Sequence, residues 1–332
     1  MKQIKGMQLG AVLAVMLLLS MAFVPVASAE LPVITDPPAI ASAPVSDDNK
    51  KVDGNLSPSK EVQKLVFDVI EASDLTDSEK KDLTKQLKDI WSGKSELTQE
   101  EQQQVLIKVG EIISKAQVGI LWKPLQHSDI ARASGVKSQG TSWAVPQQYL
   151  QTLYNEADEP DYFDPLGAHA WNIDTNSGDA PAKVKTHANN ARNYIKNQSN
   201  PSEGYKELAY SMHYMADVAV PFHTDSTGNC WNGQYCYFEH INYESFVNSE
   251  WNNEAGYNFN ATVRNDWYYY YITDPEATAK DVANGANQYY NYIVNRMQSS
   301  NWENDPTLVY YTRESLKYAS RGNLGLVNYV NR

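Results

Sequence analysis

The run Met212-His213-Tyr214-Met215-Ala216-Asp217-Val218-Ala219-Val220-Pro221-Phe222-His223, with His240-Ile241-Asn242-Tyr243-Glu244 seventeen residues after its last histidine, decides how this chain is read. His213 and Asp217 stand four apart, and so do His240 and Glu244. On a helix that spacing sets both side chains on one face, where they can reach a single cation. Pro221 has no amide hydrogen and is expected to end the first helix, freeing His223 to turn in as a further ligand. Nitrogen and oxygen donors in this mixture suit zinc. The bland alternative is a set of incidental histidines on ordinary helical faces. Two His/carboxylate pairs joined by a third histidine are hard to reach by accident.

Upstream, Trp122 precedes His127 by five residues, and Asp158 and His169 follow; of the six histidines only His187 is left without a role. Two cysteines cannot build a four-thiolate site, so any metal rests on histidine and carboxylate. Long helical patterns, such as Tyr205 to Val218 and Ala277 to Met297, recur without a convincing alternating series. Residues 119–332 therefore read as an all-α, multi-helix bundle enclosing the metal-ligating groups.

Before the bundle, three amphipathic patterns can be traced: Val62, Leu65, Val66, Val69 and Ile70; Leu83, Leu87, Ile90 and Trp91; Val105, Leu106, Val109, Ile112 and Ile113. Thr76 with Glu79, and Thr98 with Glu101, have the capping-box spacing. Residues 58–118 thus read as a small helical module, either a spacer or a pro-segment that covers or chaperones the bundle. Residues 30–57, rich in Pro, Ser, Ala and Asp, read as a disordered linker. Lys2 and Lys5, the uncharged run from Met7 to Ala27 and the Ala27-Ser28-Ala29 pattern mark residues 1–29 as a secretory signal peptide. The chain is expected outside the cell; left uncleaved, the same run would anchor it at the cell surface. In an exported chain Cys230 and Cys236 are expected to close a local disulfide loop. Asn55, Asn197 and Asn260 head Asn-x-Ser/Thr sequons, which matter only if the producing cell glycosylates.

Forty acidic side chains against 28 basic ones give a net charge of -12 over 332 residues, which denies the chain the basic field that duplex nucleic acid requires. Hydrophobic residues at 42% and charged ones at 20% exclude global disorder. Among the 22 tyrosines and 8 tryptophans, the run Trp267-Tyr268-Tyr269-Tyr270-Tyr271 reads first as packing. Its aromatic faces would equally cage a choline head group or stack nucleobases.

His213, Asp217 and His223, with His240-Ile241-Asn242-Tyr243-Glu244-Ser245-Phe246-Val247, resemble the metal-binding core of the bacterial zinc-dependent phospholipases C, whose superfamily also contains the fungal single-strand-specific zinc nucleases. The resemblance runs from about Trp122 to Arg332; Asp158 and His169 match by order and approximate distance. It implies up to three Zn²⁺ inside an all-α bundle: one on Asp158, His169, His213 and Asp217, a second on His223, His240 and Glu244, and a third on His127, Asp217 and the Trp122 backbone. In the family that Trp is the first residue of the mature protein, whereas signal cleavage here leaves Trp122 far inside the chain. Either a second cut before Trp122 removes the helical module, or the third site is altered.

The activity so implied is secreted phosphodiester hydrolysis, with phospholipid cleaved at a membrane surface to diacylglycerol and a phosphorylated head group. Three Zn²⁺ against the carboxylates of Asp158, Asp217 and Glu244 leave a surplus of about three positive charges, so an acidic protein still attracts a phosphate anion. Asp158 is the candidate for orienting or deprotonating the attacking water; its alternative role is that of a ligand alone. Glu244 and its sequence context favour the phospholipase. The Trp122-to-His127 spacing favours the nuclease branch, acting on single-stranded nucleic acid or 3'-nucleotides. A third reading is an exported metal-binding protein without turnover.

Overall fold

The computed structural model describes residues 31–35, 60–98, most of 101–112, 124–164, 166–224 and 237–332. Its helices are α1 (Lys60–Ala72), α2 (Asp77–Trp91), α3 (Pro124–Lys137), α4 (Leu150–Glu156), α5 (Pro160–Phe163), α6 (Ala180–Lys196), α7 (Pro201–Asp217), α8 (Tyr237–Ser249), α9 (Phe259–Asn265), α10 (Pro275–Met297) and α11 (Pro306–Asn331). Residues 101–112 are helical where described. The class is all-α.

Three of the longer helices, α7, α10 and α11, start with one chemical device. Asn200-Pro201, Asp274-Pro275 and Asp305-Pro306 each place an Asx side chain at the cap and a proline in the first turn. Asp305 Oδ1 accepts from Thr307 N at 2.9 Å and Leu308 N at 2.8 Å. The carboxylate satisfies amides that the helix leaves over, and proline has no amide to leave.

Every residue of α7 from Leu208 to Asp217 is buried, so this helix runs through the centre of the bundle. α6 and α11 pack along it, α3 and α4 also touch it, and α10 lies against α6 and α11. A Cβ at Gly322 of α11 would stand 2.7 Å from Met215 Cγ, so glycine there lets α11 lie against α7. The bundle core includes Leu208, Met212, Met215, Phe222, Tyr243 and Trp251.

A second apolar cluster joins Val66, Val69 and Ile70 of α1 to Leu83, Leu87 and Trp91 of α2 and to Leu106, Val109 and Ile112; among the described residues it takes in one from the bundle, Ile241 of α8. Both capping boxes form. Thr76 N donates to Glu79 Oε2 at 2.9 Å and Glu79 N to Thr76 Oγ1 at 3.4 Å. The matching bonds between Thr98 and Glu101 are 2.8 and 3.2 Å.

Part of the stretch expected to be linker is paired. Val33–Ile34 runs parallel to Tyr269–Tyr270, with Tyr269 N on Pro32 O at 3.3 Å and Tyr271 N on Ile34 O at 3.2 Å. The aromatic run is thereby split: Tyr269 and Tyr270 are buried, while Trp267, Tyr268 and Tyr271 are exposed. Residues 36–59, the signal segment, Trp122 and the Cys230–Cys236 loop lie outside the described residues. Asn197 is exposed, but Asn260 is buried and its Nδ2 donates to Asn252 Oδ1 at 2.8 Å, which closes that sequon to a glycan. No described helix is long and apolar enough to cross a membrane.

Candidate metal centre

α7 ends at Asp217, four residues before the proline expected to stop it. Residue 221 cannot supply the amide that would bond to Asp217 O, and Val220 N takes that acceptor instead at 2.9 Å. A short 3₁₀ turn, Pro221–Thr224, follows and brings His223 Nδ1 to 3.6 Å from Asp217 Oδ1.

Two backbone carbonyls fix the histidine tautomers. His213 Nδ1 lies 2.7 Å from Ala157 O, and His223 Nδ1 lies 2.9 Å from His169 O. A carbonyl only accepts, so both Nδ1 atoms donate, and in the neutral ring Nε2 is left as the ligating nitrogen.

The inward atoms converge. Asp217 Oδ2 is 2.9 Å from His169 Nδ1 and 3.0 Å from His213 Nε2, and its Oδ1 is 3.4 Å from His127 Nε2. The His127 and His213 rings stack at 4.1 Å. Asp161 Oδ1 approaches His213 Nε2 to 3.5 Å and His169 Nδ1 to 3.7 Å. Glu244 Oε1 meets His240 Nε2 at 2.8 Å and His223 Nε2 at 3.3 Å. Three groups result, His127/His213/Asp217, Asp161/His169/His213 and His223/His240/Glu244, each with its ligand atoms within 4.8 Å of one another.

This convergence is electrostatically demanding. His169, His213, Asp217 and His223 are fully buried, and His240 and Glu244 are 4% exposed. Asp161 Oδ1, Asp217 Oδ1, His169 Nε2 and Glu244 Oε2 are buried without a hydrogen bond, an arrangement that is costly unless a cation engages them. Burial opposes charge on His213, yet the Asp217 and Asp161 carboxylates push its imidazole up to about 9. Burial likewise opposes charge on Asp217, but His213, His127 and His169 hold it well below the usual carboxylate range. Burial pushes Glu244 up to about 7 against the pull of His223. Imidazole nitrogens and carboxylate oxygens this close are the donor set that Zn²⁺ takes, so the residues present fit the ion.

Of the residues expected from sequence, His127, His169, His213, Asp217, His223, His240 and Glu244 come together. Asp158 stands beside them: its Oδ2 accepts from Ser128 Oγ at 2.7 Å, while Oδ1 is buried with no hydrogen bond. Burial pushes this carboxyl up to about 6, with the Ser128 bond opposing. Asp161, which sequence reasoning passed over, occupies the converging position. The available signal was its place directly after Pro160, in the first turn of α5. His187 pairs with Glu207 at 2.8 Å outside all three groups.

No family model and no curated protein matches the chain. Among solved structures it is similar to an α-toxin of Clostridium perfringens isolated from avian strain SWCP, at 18% identity over 62% of this chain and 62% of that one, with a TM-score of 0.44. It is also similar to an α-toxin from Clostridium absonum, at 16% identity over 62% of this chain and 63% of that one, with a TM-score of 0.43. The chain thus spans less than two thirds of the length of either structure.

Proposed function

We propose that this protein is an exported, zinc-dependent phosphodiester hydrolase of the phospholipase C kind, cleaving phospholipid to diacylglycerol and a phosphorylated head group. One observation carries the reading: buried histidines and carboxylates from five segments converge around Asp217, and seven of them are residues the family resemblance names as ligands. Zn²⁺ held there would supply Lewis acidity toward phosphate oxygens and acidify a water.

The remaining work falls to this chain's own groups. Ala157 O and His169 O aim the His213 and His223 rings into the pocket. Asp158, fixed through Oδ2 by Ser128 and unengaged at Oδ1, is the proposed acceptor for the proton of the attacking water. The test is release of phosphocholine from phosphatidylcholine by the zinc-loaded chain, abolished by chelation. Turnover confined to single-stranded DNA or 3'-nucleotides would replace this reading with the nuclease; bound zinc without turnover would leave a metal-binding protein.

We infer also that residues 58–118 are a pro-segment, because their apolar cluster closes over Ile241, the residue next to His240. N-terminal sequencing of the active secreted form is expected to start at Trp122. A start at Glu30 with the full metal complement overturns that inference.

A further inference from the structure

We propose that the groove between α9 and α11 is an anion site, in which Arg313 and Lys317 hold one phosphoryl group of inorganic phosphate or of a small phosphomonoester.

Arg313, Lys317 and Arg321 follow one another at four-residue steps on α11, so their side chains leave one face of the helix about 6 Å apart. They line a groove of about 440 Å³, whose other wall carries Thr262 and Asn265 of α9. That volume suits a small molecule. Three cations and a single carboxylate, Asp266, line it, on a chain with 40 acidic and 28 basic side chains. The groove therefore inverts the charge of the molecule that carries it, and a local field of that sign gathers small anions.

The carboxylate is already spent. Arg321 Nε donates to Asp266 Oδ2 at 2.8 Å and its Nη2 to Oδ1 at 3.3 Å. Lys137, buried under α9, donates to Asp266 O at 2.8 Å and so adds a second cation beside the same residue. Lys317 Nζ meets Glu314 Oε1 at 2.6 Å, but its side chain is 33% exposed and such a pair is held weakly against water. Among the described residues Arg313 meets no carboxylate. Its one hydrogen bond, from Nη2 to Tyr257 O at 3.1 Å, fixes the guanidinium at the groove and leaves the other N–H donors over. A guanidinium with donors to spare, one turn from an ammonium, offers a planar fork and a point charge, which together match a phosphoryl dianion. Tyr268, 48% exposed with Arg321 5.6 Å over its ring, gives the carrier of a phosphomonoester a flat surface to lie against.

The groove is separate from the metal-ligating centre. His127 and Lys137 stand ten residues apart on α3, roughly 15 Å of helix, the first among the converging ligands and the second beneath Asp266. The proposal thus goes beyond the hydrolase reading and does not depend on it.

The test is equilibrium dialysis of the zinc-loaded full chain against radiolabelled inorganic phosphate and, separately, glycerol 1-phosphate. Phosphate taken by the metal centre is untouched by substitutions in the groove, so the difference between wild type and variant counts the groove alone. Arg313→Gln is expected to weaken that component about tenfold or more, as loss of a charge-assisted fork dictates. Lys317→Glu, on the outer side of α11, should abolish it, and zinc content should stay at the wild-type level in both variants. Arg313→Lys should restore only part of the binding, because charge returns without the fork. Tighter binding of glycerol 1-phosphate than of phosphate would support the site and name a phosphomonoester; equal binding would support it and name the free ion. Wild-type binding that neither variant changes overturns the proposal, as does a wild-type chain that binds neither probe. Should Arg313→Gln lose its zinc and its fold, Lys317→Glu decides alone, since its side chain carries no buried contact.

Discussion

Asp158 and Asp161 lie on either side of Pro160, and under the proposed reading they divide the ligand and proton-acceptor roles that were expected of Asp158 alone. Asp161 Oδ1 faces the His169 and His213 nitrogens, whereas Asp158 is turned to Ser128. Asp161→Asn should therefore weaken zinc binding by more than about tenfold, because it removes a charged donor from a buried site. Asp158→Asn should keep its zinc and lose about 10² to 10⁴ in kcat, the usual worth of a positioned proton acceptor. Metal analysis and turnover on the two variants decide it; an Asp158→Asn protein that is stripped of zinc would exchange the roles. The i,i+4 pairs were legible because helix geometry alone fixes them. Asp161 was not, since its direction depends on where a four-residue helix sits. Lys137 offers a separate check of burial: its ammonium is buried and donates to Val263 O, Asp266 O and Ser320 Oγ at 3.2, 2.8 and 2.5 Å. Burial lowers it from 10.5 to about 8. Below that lower value both folded and unfolded chains hold the proton, and the cost of burying the charge is constant. Between the two values the unfolded chain holds more protons, so this group makes stability rise with pH. Denaturant unfolding of Lys137→Met should lack that rise.

Helix α8 carries His240 and Glu244 toward the pocket and Ile241 toward the module, so one element serves two apolar clusters. Leu87 is fully buried in the smaller of them. Leu87→Ala should cost the module about 2–5 kcal/mol, enough to unfold so small a core. Because Ile241 is the bundle residue in that cluster, the larger core should keep its metal and its amide protection. Hydrogen exchange followed by mass spectrometry checks this: protection lost throughout the bundle as well would show that the two cores fold as one. Amphipathic period and capping boxes made the module readable, since each is written within one turn of chain. The pairing of Val33–Ile34 with Tyr269–Tyr270 was not, because two residues give no alternation and the partners lie far apart in sequence. α7 also stopped short of Pro221, since a missing amide frees the carbonyl four residues earlier and a tighter bond takes it.

Across the whole molecule, the centre joins segments that would otherwise only pack: α3 gives His127, the α5 region Asp161 and His169, α7 His213 and Asp217, the following turn His223, and α8 His240 and Glu244. A cation bound there exists only in the folded chain, so it stabilises by mass action. At a free concentration about a hundredfold above Kd, one ion contributes about 2.7 kcal/mol, which for a domain of this size is about 5–10 °C in Tm. Chelation should lower Tm by at least that much and zinc should restore it. The buried oxygens of Asp161, Asp217 and Glu244 that make no hydrogen bond give the apo form a further cost, so the loss should exceed what a surface ion would cause. Imidazole must shed its proton to ligate, and zinc therefore competes with acid: the gap between holo and apo Tm should be widest above the histidine range and close as pH falls through it. Calorimetry on matched samples measures that gap directly. Holo and apo forms that melt together at neutral pH would mean that the convergence is held by hydrogen bonds alone, and the hydrolase reading would lose its cation along with its stability.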